Sequence, residues 1–202
     1  MILFKKDPTV KWGFLFEKKM GNRILNGDFE FLSNLFDKFF TQKSIRDRLN
    51  LIEEKNITGW ETWLQIELSF FFDKQENVME WVREVPCSTD KRVEKLKDKG
   101  IIDFWLKERN KSTETMIAVE LKQAKSAKSC ITAMMKDLNK FHSLKPSEHN
   151  YIRTFWCVGI HRVVEEDTCL KIINEHKIGY EFNQNHLLSK QIKGTNFSFT
   201  IL

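Results

Sequence analysis

Hydrophobic residues recur with two different periods along this chain, and the periods predict which segments are helices and which are strands. The segment FEFLSNLFDKFFTQKSIRDRL (29–49) has aromatic and aliphatic residues at helical spacing, so we expect one or two packing helices there. The helical pattern returns in TGWETWLQIELSFFF (58–72). At its start, Thr58 is expected to cap the helix and Gly59 to make the turn.

From residue 78 the period changes to two, which is the spacing of side chains on one face of a strand. The runs VMEWVREV, IIDFWLK and TMIAVELK predict three successive strands of one meander. A helix is expected from Ala124 to Phe141. The next run, YIRTFWCVGIHR, is so continuously apolar that we expect it at the centre of a mixed sheet. A helix near 165–176, a short strand IGYEF and a last strand NFSFTIL complete the pattern.

These elements predict an α/β fold with a central mixed sheet flanked by helices. Residues 1–57 are interpreted as a helical N-terminal extension that packs on a core formed by residues 58–202. A chain of 202 residues with 41% hydrophobic content is long enough for one full core. The sequence has no repeats and no Pro-rich or Gly-rich linker, which argues against further domains.

Composition excludes some classes of protein. The 33 Lys and Arg residues exceed the 28 Asp and Glu residues by a formal charge of +5, which is compatible with a polyanionic partner without requiring one. The cysteines at 87, 130, 157 and 169 have neither metal-site nor disulfide-scaffold spacing, so we expect reduced, packed thiols. With no apolar run near the ~20 residues that a spanning helix needs, a soluble cytoplasmic protein is expected.

Charged residues interrupt two of the predicted strands. Alternation places Glu120 and Lys122 on one face of the third strand, about 7 Å apart at ~3.3 Å per residue. If the second and third strands pair as a hairpin, Asp103 becomes a neighbour of Glu120. Two close carboxylates repel unless a cation or a proton relieves them, and Mg²⁺ is a natural partner for such oxygens. Lys122 would then lie beside a metal-bound water, where it can orient the nucleophile or stabilise the transition state. This combination of acids and a lysine suits phosphodiester hydrolysis. The alternative is a solvated face with a cross-strand ion pair.

Asp103 and the sequence Glu120-Leu121-Lys122 lie on consecutive predicted strands, after an acid-bearing helix and before a Lys-rich helix. This order resembles the PD-(D/E)XK nuclease superfamily, which includes restriction endonucleases and Holliday-junction resolvases. The resemblance covers about residues 58–161. Ile102 stands where the family name has proline.

The resemblance implies a restriction-endonuclease-like core and a metal-dependent deoxyribonuclease that uses Mg²⁺, with Mn²⁺ as a substitute. Products would carry a 5′-phosphate and a 3′-hydroxyl. Asp103, Glu120 and the backbone carbonyl of Leu121 would hold the metal. Lys122 would act on the attacking water, and Gln123 would help to hold substrate or water.

The superfamily also places an acid on the preceding helix, and the sequence offers two candidates. Glu61 lies at the start of the helix and shares a face with Gln65, whereas Glu67 lies on a different face. Glu61 is the preferred candidate because a first-turn carboxylate can point to a site beyond the sheet edge. For either residue the alternative is a structural role. It would then be a surface acid near the helix N-terminus, or an acid at the edge of the core paired with a basic group.

Basic residues form a candidate DNA-binding surface. A stripe of about 120° on the helix after the third strand carries Lys125, Lys128, Lys136 and Lys140, and such a stripe can follow a phosphate backbone. A solvated helix face is the alternative. A second basic strip precedes the second strand and comprises Lys91, Arg92, Lys95, Lys97 and Lys99.

The expected partner is therefore DNA, with no membrane. A homodimer is the default assembly, and a subunit of a defence, transposition or repair complex is a further possibility. The competing function is a catalytically inactive nucleic-acid-binding or protein-interaction module with the same fold, in which the acids serve only structure.

Overall fold

The computed structural model describes residues 21–90, 99–109, 111, 114–141, 144–175 and 183–202. Within these ranges the chain folds as five helices and one open, six-stranded mixed sheet, which is an α/β architecture. The helices are α1 (Asn22–Thr41), α2 (Lys43–Glu54), α3 (Glu61–Phe72), α4 (Ala127–Phe141) and α5 (Glu166–Glu175). The strands are β1 (Val78–Ser88), β2 (Lys99–Glu108), β3 (Met116–Gln123), β4 (Ile152–Arg162), β5 (Leu188–Gln191) and β6 (Phe197–Ile201).

The sheet has the strand order β1-β2-β3-β4-β6-β5. Strands β1, β2 and β3 form the predicted meander, with antiparallel pairing throughout. Strand β4 lies parallel to β3 and antiparallel to β6, so the prediction of a central strand in a mixed sheet is confirmed. The parallel pairing requires a crossover connection, which helix α4 supplies between β3 and β4.

The main hydrophobic core joins α1, α2 and α3 to one face of the sheet. The helical spacing of α1 produces a buried stripe that includes Leu32, Leu35, Phe36 and Phe39. Residues before and after position 57 belong to this one cluster. A second cluster lies between the opposite face of the sheet and helices α4 and α5. Alternate residues of β3 face different layers, because Ile117, Val119 and Leu121 belong to the main core and Ala118 packs in a separate cluster with Phe141 of α4.

Helix α1 is also attached to the sheet by a buried ion pair. Arg153 of β4 donates from Nε and Nη2 to the two carboxylate oxygens of Asp28, at 2.9 and 2.7 Å. The Thr154 hydroxyl donates to the same carboxylate at 2.7 Å. Both charged side chains are almost fully buried, and a buried charge is tolerated only when it is paired and hydrogen-bonded.

Two predicted helix starts differ from the observed ones. No side-chain cap bond is formed at the start of α3, where Trp60 is the N-cap, so the prediction that Thr58 caps this helix is wrong. Gly59 does make the turn, with φ of 71°. Helix α4 begins at Ala127 rather than at Ala124. The backbone N–H of Ser129 donates to the Ser126 hydroxyl, and this capping bond precedes the first helical turn.

The last part of the chain contains a strand that the sequence pattern did not indicate. Strand β5 pairs with β6 as a hairpin, and Gly194 in the connection adopts a positive φ of 79°. The predicted strand IGYEF lies outside the described residues. All four cysteines are free and buried, as expected. In the part of the chain that the structure describes, no helix combines the length and the apolar character needed to cross a membrane.

Candidate active site

Strands β2 and β3 pair at three consecutive positions and then separate, and the two predicted acids lie where they separate. The last paired residues are Phe104 and Val119. Beyond them the Leu121 N–H donates to Oδ2 of Asp103 at 2.6 Å, and the Asp103 N–H approaches Oε2 of Glu120 at 3.4 Å. Each carboxylate thus accepts a backbone N–H from the opposite strand. The predicted proximity of Asp103 and Glu120 is confirmed.

A residue of helix α3 completes the surroundings of Asp103. Gln65 is buried and donates from Nε2 to the other carboxylate oxygen of Asp103, Oδ1, at 2.7 Å. The sequence pattern alone predicts no separate role for Gln65. Its position one helical turn after Glu61 is the signal that two polar residues of α3 face the same region.

Lys122 binds three oxygens at the end of β3. Its Nζ lies 3.2 Å from Oε1 of Glu120, 2.8 Å from the Leu121 carbonyl oxygen and 3.0 Å from Oδ2 of Asp137. Asp137 belongs to α4, has a side chain 2% exposed, and was not identified from the sequence. A signal was present, because residue 137 lies three positions after Met134 and seven after Cys130 on the apolar stripe of α4.

The cluster has more negative than positive charge. Burial raises the pKa of Asp103 to about 6, against the opposing effects of the Leu121 N–H and the Lys122 charge. Burial and the charge on Asp103 together raise the pKa of Glu120 to about 7. Burial acts to lower the pKa of Lys122, but the charges of Glu120 and Asp137 outweigh it and raise that pKa above its usual value. Lys122 therefore stays protonated while the two acids remain poorly neutralised.

These shifts predict how stability depends on pH without metal. The pKa values of Asp103 and Glu120 are higher in the folded chain, so the stability they contribute is fully present below about pH 4 and is lost as pH rises through 6 to 7. In EDTA, we expect the Tm of Glu120→Gln relative to that of wild type to increase between pH 5 and pH 8. A gain on the order of 2 kcal/mol corresponds to about 4–8 °C.

The quantity that reports on the cluster is the difference in Tm between Glu120→Gln and wild type. Burial lowers the pKa of the buried histidines, for example His161, which gives an opposite slope in both proteins. Glu67→Gln is the matched control, since this substitution leaves the cluster intact. A Tm difference that stays constant from pH 5 to pH 8 would contradict the expected effect.

The two candidate acids on α3 have different surroundings. Glu67 accepts a hydrogen bond from Trp63 Nε1 at 3.2 Å and lies 2.5 Å from Nη1 of Arg48, so it is held on another face of the helix. Glu61 is half-buried, and its charge raises the pKa of both Asp103 and Lys122. Of the two residues, Glu61 is thus the one coupled to the cluster.

The remaining predicted site residues surround the cluster more loosely. Gln123 ends β3 and is half-buried. Lys125 precedes α4 and donates to the side chain of Asn56, so it is not part of the predicted helical stripe. Lys128 is 70% exposed and lies 3.8 Å from Glu175, and Lys136 is exposed on the same helix. Lys140 belongs to α4, whereas four members of the second basic strip, at 91, 92, 95 and 97, lie outside the described residues.

The donor set suits a hard divalent cation. Within the described ranges, no three His, Cys, Asp or Glu side chains are grouped so that they could hold a metal ion by themselves. Mg²⁺ does not require such a cage, because it is commonly held by one or two carboxylates, waters and phosphate oxygens. The Lys122 ammonium already contacts Glu120 and the Leu121 carbonyl, so these oxygens face a common cation position. Asp103 adds a carboxylate beside them.

A scan against protein-family models, a search of curated proteins and a search of solved structures each find no match to this chain. The geometry and charge of the cluster are therefore the basis for a functional proposal.

Proposed function

We propose that this chain is a Mg²⁺-dependent nuclease that hydrolyses DNA phosphodiester bonds and has the restriction-endonuclease-like core of the PD-(D/E)XK superfamily. The observation that carries the proposal is the convergence of Asp103, Glu120, the Leu121 carbonyl and Lys122 where β2 and β3 separate. The raised pKa values of the two buried acids indicate that their negative charges are incompletely neutralised, and a divalent cation would neutralise them.

Each residue of the cluster has a separate proposed role. Asp103, Glu120 and the Leu121 carbonyl would hold Mg²⁺, which supplies positive charge to polarise the scissile phosphate. Lys122 stays protonated, so it acts by orienting the attacking water and by stabilising negative charge that develops on the phosphate oxygens. Gln65 and the Leu121 N–H hold the Asp103 carboxylate in one orientation. Fixed donors of this kind reduce the reorganisation needed during reaction.

Glu61 is the proposed helix acid. Its charge acts on both Asp103 and Lys122, whereas Glu67 is bound by Arg48 and Trp63. In this role Glu61 supports the ligand shell and favours the protonated form of Lys122. Gln123, next to Lys122 along β3, is proposed to hold substrate or water.

The exposed face of α4 is the proposed contact with DNA phosphates. Lys128 and Lys136 are exposed on this helix, which follows directly from the strand that carries Glu120 and Lys122. Lysines in this position add affinity that falls with salt and is independent of sequence. Lys140 is a further lysine of this helix.

The test is cleavage of linear, circular, branched and single-stranded DNA by the purified chain in Mg²⁺ or Mn²⁺. Cutting that requires the metal and stops in EDTA is expected. Cutting that survives EDTA would contradict the proposal, and so would a protein that cuts no substrate and is not stabilised by Mg²⁺ or Mn²⁺. Analysis of the product ends should give 5′-phosphate and 3′-hydroxyl groups.

One observation favours the second candidate, an inactive nucleic-acid-binding or protein-interaction module. Lys122 already forms ion pairs with Glu120 and Asp137, so the acids have a counter-charge without metal. Thermal unfolding separates the two functions. A metal site at 100 times its Kd adds about 2.7 kcal/mol, or roughly 5–10 °C in Tm, whereas an inactive module shows no shift. A nuclease that needs a partner subunit would show the rise in Tm but would not cut DNA by itself.

A further inference from the structure

Lys122 contacts two kinds of oxygen: those proposed to bind the metal ion, and one that is not a proposed metal ligand. Glu120 Oε1 and the Leu121 carbonyl, at 3.2 and 2.8 Å, are proposed metal ligands on its own strand. Oδ2 of Asp137, at 3.0 Å, comes from helix α4 and belongs to no proposed ligand set. The ammonium thus bridges the proposed metal position and a separate acid.

The position of Asp137 is fixed by close packing of α4 on the sheet. The side chains of Met134 and Cys130 pack against Gly159 of β4, where a Cβ atom would lie 2.3 Å from Met134 Sδ and 2.8 Å from Cys130 Sγ. Asp137 is one turn beyond Met134, and its side chain is 2% exposed. A carboxylate that is buried at this depth needs a cation within reach, and Lys122 provides it.

We propose that Asp137 is a positioning residue that keeps Lys122 at the site when a divalent cation takes the oxygens of Glu120 and Leu121. This inference rests on the proposed nuclease function. A metal ion and an ammonium about 4 Å apart repel strongly in a partly buried site, so the two cations do not share the same oxygens. Lys122 then moves toward Asp137 and remains beside the reacting phosphate instead of turning into solvent.

The first experiment measures Mn²⁺ affinity, from free Mn²⁺ detected by electron paramagnetic resonance, in a double-mutant cycle. The proteins are wild type, Asp137→Asn, Lys122→Met and the double variant. Asp137→Asn should weaken Mn²⁺ binding about tenfold, because displaced Lys122 has lost its charged partner. In the Lys122→Met background the same change should cost less than about threefold. An equal effect in both backgrounds, or none in either, would overturn the inference.

A control and a second measurement separate positioning from general destabilisation. Asp28→Asn also alters a buried acid that is paired with a base, but it should leave Mn²⁺ affinity unchanged. Reductive methylation of the wild-type protein, with peptide mass spectrometry, requires no variant to fold. Lys122 should stay protected when Mn²⁺ saturates the protein, whereas Lys128, which is 70% exposed, should be modified throughout.

The outcomes distinguish failure of the inference from failure of the proposed function. Strong methylation of Lys122 upon Mn²⁺ addition would overturn the positioning role of Asp137 while leaving the metal site intact. A wild-type protein that binds no Mn²⁺ would overturn both proposals. Retained protection together with coupling in the double-mutant cycle would support both.

Discussion

Replacing Lys122 by methionine, or Glu120 by glutamine, is expected to lower the rate of metal-dependent DNA cleavage by at least about 10²–10³-fold. The methionine removes the Lys122 ammonium, which contacts both Glu120 and the Leu121 carbonyl. The glutamine keeps the shape of Glu120 but removes the charge that a divalent cation requires. Initial cleavage rates measure the effect, at saturating DNA and at the Mg²⁺ concentration that saturates wild type.

Loss of activity is informative only in a folded protein. Lys122→Met removes a counter-charge from Asp137, so circular dichroism and thermal unfolding should accompany each assay. Glu67→Gln is the matched control, since it changes a glutamate of α3 that is bound by Arg48 and Trp63. Its cleavage rate should stay within about twofold of wild type, as for a substitution away from the reacting groups. Cutting that survives both site substitutions would mean that other residues perform the chemistry.

The two variants should also respond differently to metal concentration. Raising Mg²⁺ should partly restore Glu120→Gln, because Asp103 and the Leu121 carbonyl remain as ligands. The same increase should not restore Lys122→Met, since the missing group acts on the water and the phosphate. This contrast assigns Glu120 to the metal and Lys122 to the reacting atoms.

The arrangement of the meander and the proximity of Asp103 to Glu120 follow from periodicity that is visible in the sequence. Alternation on β3 places Glu120 and Lys122 on one face, and hairpin pairing brings Asp103 opposite. Such local rules act over a few residues. They do not specify that β2 and β3 separate beyond Phe104, because that depends on carboxylates that accept backbone N–H groups from the opposite strand.

The contacts that the sequence did not predict join residues far apart in the chain. Gln65 reaches Asp103 from another helix, and Asp137 reaches Lys122 from the crossover helix. Periodicity marks each residue as polar on a buried stripe without identifying its partner. Asp28 in α1 and Arg153 in β4 are a further case, separated by 125 residues. A charged residue at a predicted core position is therefore a useful signal that a distant counter-charge exists.

The basic stripe shows a different limit of the sequence pattern. A helical wheel assumes that the helix is continuous from its first residue, but the capping bond at Ser126 starts α4 after Lys125. Lys125 instead contacts Asn56 in the connection between α2 and α3. Boundaries depend on such single hydrogen bonds, whereas the existence of the predicted helix depends on many packed residues and is confirmed.

Replacing Asp28 by alanine is expected to produce the largest loss of stability among single substitutions of a charged residue in the part of the chain that the structure describes. Arg153, which is 6% exposed, would keep its charge but lose both hydrogen bonds to Asp28, and Thr154 would lose its acceptor. Breaking a buried pair in this way costs about 3–5 kcal/mol. For a chain of this size the corresponding fall in Tm is roughly 6–20 °C.

Asp37→Ala on the same helix is the matched control for Asp28→Ala. Asp37 pairs with Lys190 at 2.6 Å, but the two side chains are 39% and 51% exposed, so the loss should stay below about 1 kcal/mol. Fluorescence and circular dichroism should report one coincident transition in Asp28→Ala, because α1 shares the main core with the sheet. An early, separate loss of helical signal would instead show that residues before position 57 fold independently of the sheet. In that case the buried ion pair only attaches α1 to the sheet, and the site at β2 and β3 should survive the substitution.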